Sequence, residues 1–134
     1  MEHVKVVVHY ADARVVKGFT NNFFPNRPTF HLHPEGEELS GRGVEVAVKD
    51  LKAVFFVKDF KGDPAYKEQK NFVEGHAPAG RKVEVSFTDG EVLVGATLGY
   101  DETRPGFFIT TPDPKSNNLR VFVVKASLKG LRWL

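Results

Sequence analysis

A chain of 134 residues with 41% hydrophobic and 27% charged content is ordinary for a globular protein, either one domain or two very small ones. The absence of cysteine excludes disulfide staples and thiolate metal sites, and a formal net charge of +2 without a dense basic block gives no electrostatic drive toward nucleic acid. No run of about 18 apolar residues predicts a membrane span, and residues 1–10 lack the basic-then-apolar layout of a secretory signal.

Val4, Val6, Val8 and Tyr10 alternate with Lys5, Val7 and His9, which predicts a half-buried first strand. Asp12-Ala13 marks a turn that must differ from a glycine turn or carry strain. A second strand is expected over 14–20, with Gly18 inside it as the sign of a bend or a close backbone approach. A loop holding Phe23, Phe24 and Arg27-Pro28 leads to strands at 29–33 and 43–49. A corner at Lys49-Asp50 then leads into a last strand at 51–57. Asp63-Pro64 followed by good helix formers predicts a short helix at about 64–73. Gly75 to Gly80 reads as a flexible connection.

From residue 81 the series starts again. Lys5 to Asp12 lies over Lys82 to Asp89, an offset of 77 (82 less 5) that persists without a gap. It holds through Gly18/Gly95, Thr20/Thr97, Arg27/Arg104, Pro28/Pro105, Phe30/Phe107 and Leu51/Leu128. Shared alternating valines would follow from any two strand-rich segments. Matched Gly, Arg-Pro and Asp between the strands would not, so the sequence is read as an internal repeat. In the second copy Asp89-Gly90 is a strong hairpin signal. The expected organisation is a first module at 1–57, a linker at 58–80 and a second module at 81–134.

Five short strands with a bent second one describe a small curved barrel. The segments Val83-x-Val85-x-Phe87-x-Asp89-Gly90-x-x-Leu93-x-Gly95 and Asp50-Leu51-Lys52-x-Val54 resemble SH3-like and Sm-like barrels. The whole layout, with Phe23 to Pro28, Phe55 to Phe60 and Asp113 to Arg120, resembles an uncharacterised bacterial family of doubled small-barrel proteins. That resemblance implies a bacterial cytoplasmic protein with a regulatory role and supplies no catalytic residues. The fold class expected is therefore all-β, a tandem repeat of two small five-stranded SH3-like/Sm-like barrels with one short linker helix.

Two loop groups carry the binding chemistry. Arg27 and Arg104 lie after the second strands with Phe23, Phe24 and Tyr100 nearby. An arginine beside loop aromatics can stack on a base or grip a phosphate or carboxylate. Its presence in both copies favours instead a turn-building role, the guanidinium bonding loop carbonyls while Pro fixes the turn. The second group is Lys115, Asn117, Asn118 and Arg120, in a polar loop whose counterpart at 34–42 is acidic. His31 and His33 stand two apart on a strand and share a face. No compact carboxylate set completes them into a metal site, and no metal or other cofactor is expected. Nucleophile elbows, phosphate loops and His-Glu-x-x-His helices are missing from the sequence, so no enzyme is expected. The PilZ family's paired arginine and Asn/Asp-x-Ser-x-x-Gly motifs are missing too.

The expectation is a non-catalytic, cytoplasmic binding or adaptor protein with a protein partner. Binding of RNA or a nucleotide is the alternative. Against the alternative, residues 4–57 carry seven Lys/Arg and six Asp/Glu, and 81–134 carry eight and six. Phe122 and Val124 make the strand around them apolar on both faces, which demands a cover. The other barrel is the nearest one, and a second chain, making a homo-oligomer, is the rival.

Overall fold

In the computed structural model, residues 3–36, 41–61, 65, 80–113 and 115–134 are described. Ten strands fill them: β1 (Val4–Tyr10), β2 (Val15–Thr20), β3 (Thr29–Pro34), β4 (Val44–Ala47), β5 (Leu51–Val57), β6 (Arg81–Phe87), β7 (Val92–Thr97), β8 (Gly106–Ile109), β9 (Asn118–Val124) and β10 (Leu128–Trp133). Single 3₁₀ turns at Val48–Asp50 and Lys125–Ser127 form the corners before β5 and β10. The fold is all-β. The helix expected at 64–73 falls, apart from Ala65, outside the described residues.

All pairings are antiparallel, in a seven-stranded sheet of order β4-β3-β2-β1-β5-β9-β8 and a three-stranded sheet of order β10-β6-β7. The strand registers repeat along the chain at the offset read from the sequence. Val6 pairs with Gly18 as Val83 does with Gly95, and Val8 with Val54 as Val85 does with Leu131. Phe30 pairs with Val46 as Phe107 does with Val123. A register shift beside Tyr10 in β1–β5 recurs where Leu128 and Gly130 meet β6. The contact of β2 with β3 is matched by a single bridge, Ala96 to Thr110.

Both central glycines are required by close approach. A Cβ on Gly18 would stand 2.5 Å from the His33 carbonyl oxygen, and one on Gly95 would stand 2.6 Å from that of Thr110. The two hairpins are also alike. Ala13 N–H donates to Tyr10 O at 3.1 Å, and Gly90 N–H donates to Phe87 O at 3.0 Å. Asp12 and Asp89 each accept the N–H two residues on. The turn is therefore conserved in shape, and Ala13 holds φ 79 where Gly90 holds φ 98. The strained alternative holds: an alanine occupies a left-handed position.

The halves meet through β5 and β9, where Ala53 faces Val123 and Phe55 faces Val121. Alternation along this ribbon sends side chains to two cores. Phe122 and Val124, from the second half, complete the first core around Val6, Val8, Phe30 and Val54. Ala53, with Phe55 against it, joins the second core around Val83, Val85, Phe87 and Phe107. The apolar second face of β9 is thus covered by the first half. The equivalent position to Phe122 is Glu45, on the open edge strand β4, and it is exposed. Ser127 adds a buried tie by donating to Leu51 O at 2.9 Å. Lys52 on β5 reaches the β6–β7 hairpin, with Asp89 at 2.7 Å and an ion pair to Glu91.

A cleft present in both halves

Each half bends its second strand away from its third, and a cleft forms where they separate. In the first half the cleft is about 340 Å³ and polar, walled by His3, Asn21, Asn22, His31, His33 and Arg42. In the second half it is about 640 Å³, with Leu98, Tyr100, Phe108, Arg104 and Arg120 among its walls and Pro25 contributed by the first half. The two clefts share positions: Asn21, Asn22, His31 and His33 stand 77 before Leu98, Gly99, Phe108 and Thr110.

Asn22, in the wall of the first cleft, bonds across to β3. Its Oδ1 accepts the His31 backbone N–H at 2.8 Å, and its Nδ2 meets His31 Nδ1 at 2.8 Å. Thr20 closes the other side by donating its hydroxyl to His31 O at 2.8 Å. Main-chain groups at position 31 therefore point away from β4, into the gap beside β2. Phe108 pairs with Phe122 in the same register as His31 with Glu45, so its N–H and C=O are turned toward the second cleft. Gly99 offers no side chain to meet them. Thr97 is 4% exposed, and its Oγ1 has no hydrogen-bond partner among the described residues. Buried polar groups are nearly always paired, and in the first cleft His33 Nδ1 is likewise buried without a partner among the described residues.

Of the residues singled out from sequence, Tyr100, Arg104 and Arg120 line this cleft. Arg120 lies over the rings of Phe108 at 4.1 Å and Phe56 at 4.6 Å. Burial lowers its pKa from the ordinary arginine value, yet it makes no ion pair among the described residues. Tyr100 packs edge-on against Phe107 and Trp133, with Lys125 over its ring at 4.6 Å. Phe23 does the same in the first half, against Phe30 and Phe56 and also Phe108 and Phe122. Phe23 is a packing residue, while Phe24 is 44% exposed beside the cleft-lining Pro25.

The Arg-Pro pairs build matching corners. Arg27 N–H donates to Phe24 O at 3.0 Å and Arg104 N–H to Asp101 O at 3.2 Å. Pro28 O and Pro105 O each accept the N–H that opens a 3₁₀ turn, from Val48 and Lys125. Arg27 folds over the Phe24 ring at 4.8 Å, and Arg104 reaches the Asp101 carboxylate at 3.4 Å. Asp101 also accepts from Thr103 N–H and Oγ, and these bonds, with Arg104, hold its carboxyl below the usual range.

Lys115, Asn117 and Asn118 do not line the cleft. Asn117 clamps the halves together: its Nδ2 donates to Asp59 O at 2.7 Å and its Oδ1 accepts Asp59 N–H at 2.9 Å. Asn118 N–H is held by Ser116 Oγ, and the exposed Lys115 is fixed through its own N–H on Asp113. Among the described residues no group of three His, Cys, Asp or Glu is placed to hold a metal ion. Among the described residues no helix is long and apolar enough to cross a membrane.

The Gly99, Phe108 and Leu98 positions were missed from sequence. Their signal lay in comparing the copies: a polar Asn, His and Asn set in one becomes Gly, Phe and Leu in the other, and Leu98 is 82% exposed. A family of unknown function (DUF6982) matches over residues 2–134, and the chain belongs to it. No curated protein and no solved structure matches the chain.

Proposed function

We propose that this member of DUF6982 is a non-catalytic cytoplasmic binding protein, built from two copies of one small five-stranded SH3-like/Sm-like barrel, that takes a protein partner in the second-half cleft. The duplicated registers support the repeat, and the order β4-β3-β2-β1-β5 in the first half, with β10-β6-β7 linked to β8-β9 by the Ala96–Thr110 bridge in the second, supports the barrel. The observation that carries the binding reading is the cleft itself. An apolar floor at Phe107 and Ile109 is joined by exposed Leu98 and by Arg104 and Arg120, the mixture of apolar anchor and few polar groups that recognition sites use.

Arg120→Glu tests this reading, since the reversed charge should remove partner capture from a cell extract while the circular dichroism spectrum stays unchanged. Capture that survives the substitution would remove the cleft from the function. A second reading is favoured by Arg120 stacked over Phe56 and Phe108, a platform that suits a nucleobase. If RNA were the ligand, its affinity would fall steeply as salt is raised. No retention of an oligoribonucleotide at low salt would dismiss it.

A further inference from the structure

We infer that the second-half cleft receives an extended peptide segment, which pairs with the main chain of Phe108 and places a carboxylate against Arg120. This deepens the binding reading above and rests on it. The argument comes from the first half, where the structure supplies its own occupant. There an amide, that of Asn22, takes the His31 N–H at 2.8 Å, and a hydroxyl takes the His31 carbonyl. A peptide group presents the same acceptor and donor as an Asn side chain. In the second half the receiving strand keeps its register, while Gly99 leaves the slot without a side chain.

Three further features set the chemistry of the guest. Thr97 Oγ1, one residue before the cleft-lining Leu98, is buried and lacks, among the described residues, the carbonyl contact that Thr20 makes. Phe108 and Ile109 on β8 and Leu98 on the facing wall give apolar contact to alternate side chains of an extended chain. Arg120 brings a guanidinium with no ion pair among the described residues, and Arg104, 3.4 Å from the Asp101 carboxylate, brings another. Two guanidiniums against the single Asp101 carboxylate in the lining favour an acidic guest.

The test is an NMR titration of the full chain with acetyl-Asp-Val-Asn-Val-Asp-amide and with its counterpart carrying Lys for both Asp. The acidic peptide is expected to shift the Thr97, Gly99 and Phe108 amides saturably and to bind at least ten-fold more tightly than the lysine peptide. Gly99→Asn, which restores the plug of the first half, is expected to weaken the acidic peptide at least ten-fold while leaving the other strand amides in place. Arg120→Gln is expected to erase the preference between the two peptides. Equal binding of both peptides to the wild-type protein overturns the carboxylate assignment. Unchanged binding by Gly99→Asn overturns the strand-pairing assignment while leaving the cleft as a binding site. Absence of any shift with 5 mM acidic peptide overturns the inference as a whole, and the Arg120→Glu capture then decides the broader reading by itself.

Discussion

The two clefts share backbone and position but differ in contents. In the first, Asn22 and Thr20 satisfy the main chain of His31, while His33 Nδ1 stays buried without a hydrogen-bond partner among the described residues. In the second, Gly99 and Phe108 stand at those places, the hydroxyl of Thr97 is orphaned, and the volume nearly doubles to about 640 Å³. One cleft is held by internal hydrogen bonds, and the other presents apolar surface and two arginines at the corresponding places. The difference shows where stability was given up, and such places are where function is expected.

The largest contrast between the halves should appear at the joint. Phe122→Ala removes a fully buried ring from the first core and is expected to destabilise by about 3–5 kcal/mol, measured by urea denaturation. Glu45→Ala, at the equivalent exposed position, should change stability by no more than about 0.5 kcal/mol. Comparable losses would break the assignment of β9 as a shared wall.

A smaller contrast is expected at the two threonines. Thr20→Val deletes the donor to His31 O and should cost about 1–2 kcal/mol, whereas Thr97→Val removes an orphaned hydroxyl and should be neutral or stabilising. Equal effects would mean that the two clefts are energetically alike. In the hairpins, Ala13→Gly should gain about 1 kcal/mol by relieving the left-handed φ, and Gly90→Ala should lose a similar amount.

The least effect concerns pH. His9 lies against Phe55 at 4.6 Å between ring centroids. Burial, then the Lys52 charge, lower its pKa from 6.5, with Glu91 and Asp89 opposing. Its folded value is thus below its unfolded one. The associated stability is complete above about pH 6.5 and is lost as pH falls through the folded value. His9→Phe should flatten the slope of Tm against pH in this window. Ser86 occupies the matching place in the second half, and Ser86→Ala should leave the slope unchanged.

Strand positions were legible because period-two alternation and matched glycines report directly on a half-buried, bent sheet. The need for a cover over Phe122 and Val124 was legible for the same reason, since a strand apolar on both faces has two buried sides. The repeated Arg-Pro pair pointed to a corner, but the corner is made by main-chain bonds, and the guanidiniums lie on the Phe24 ring and the Asp101 carboxylate rather than on loop carbonyls. What sequence did not give was the cleft, because its walls come from β7, β8, β9 and the loop at Pro25, far apart in the chain. Nor did it reveal that Asn117 would be consumed in tying down Asp59, as a polar loop residue looks equally ready for a ligand or for the backbone.

The shared wall bears on synthesis. A ribosome releases β1 to β5 while Phe122 and Val124 are still untranslated, so the leading core waits until β6 to β8 have been made and β9 follows. The contacts that close it span most of the polypeptide, a pattern that slows folding and prolongs exposure of apolar surface. The nascent first half accordingly keeps one side of its core open until β9 arrives to cover it.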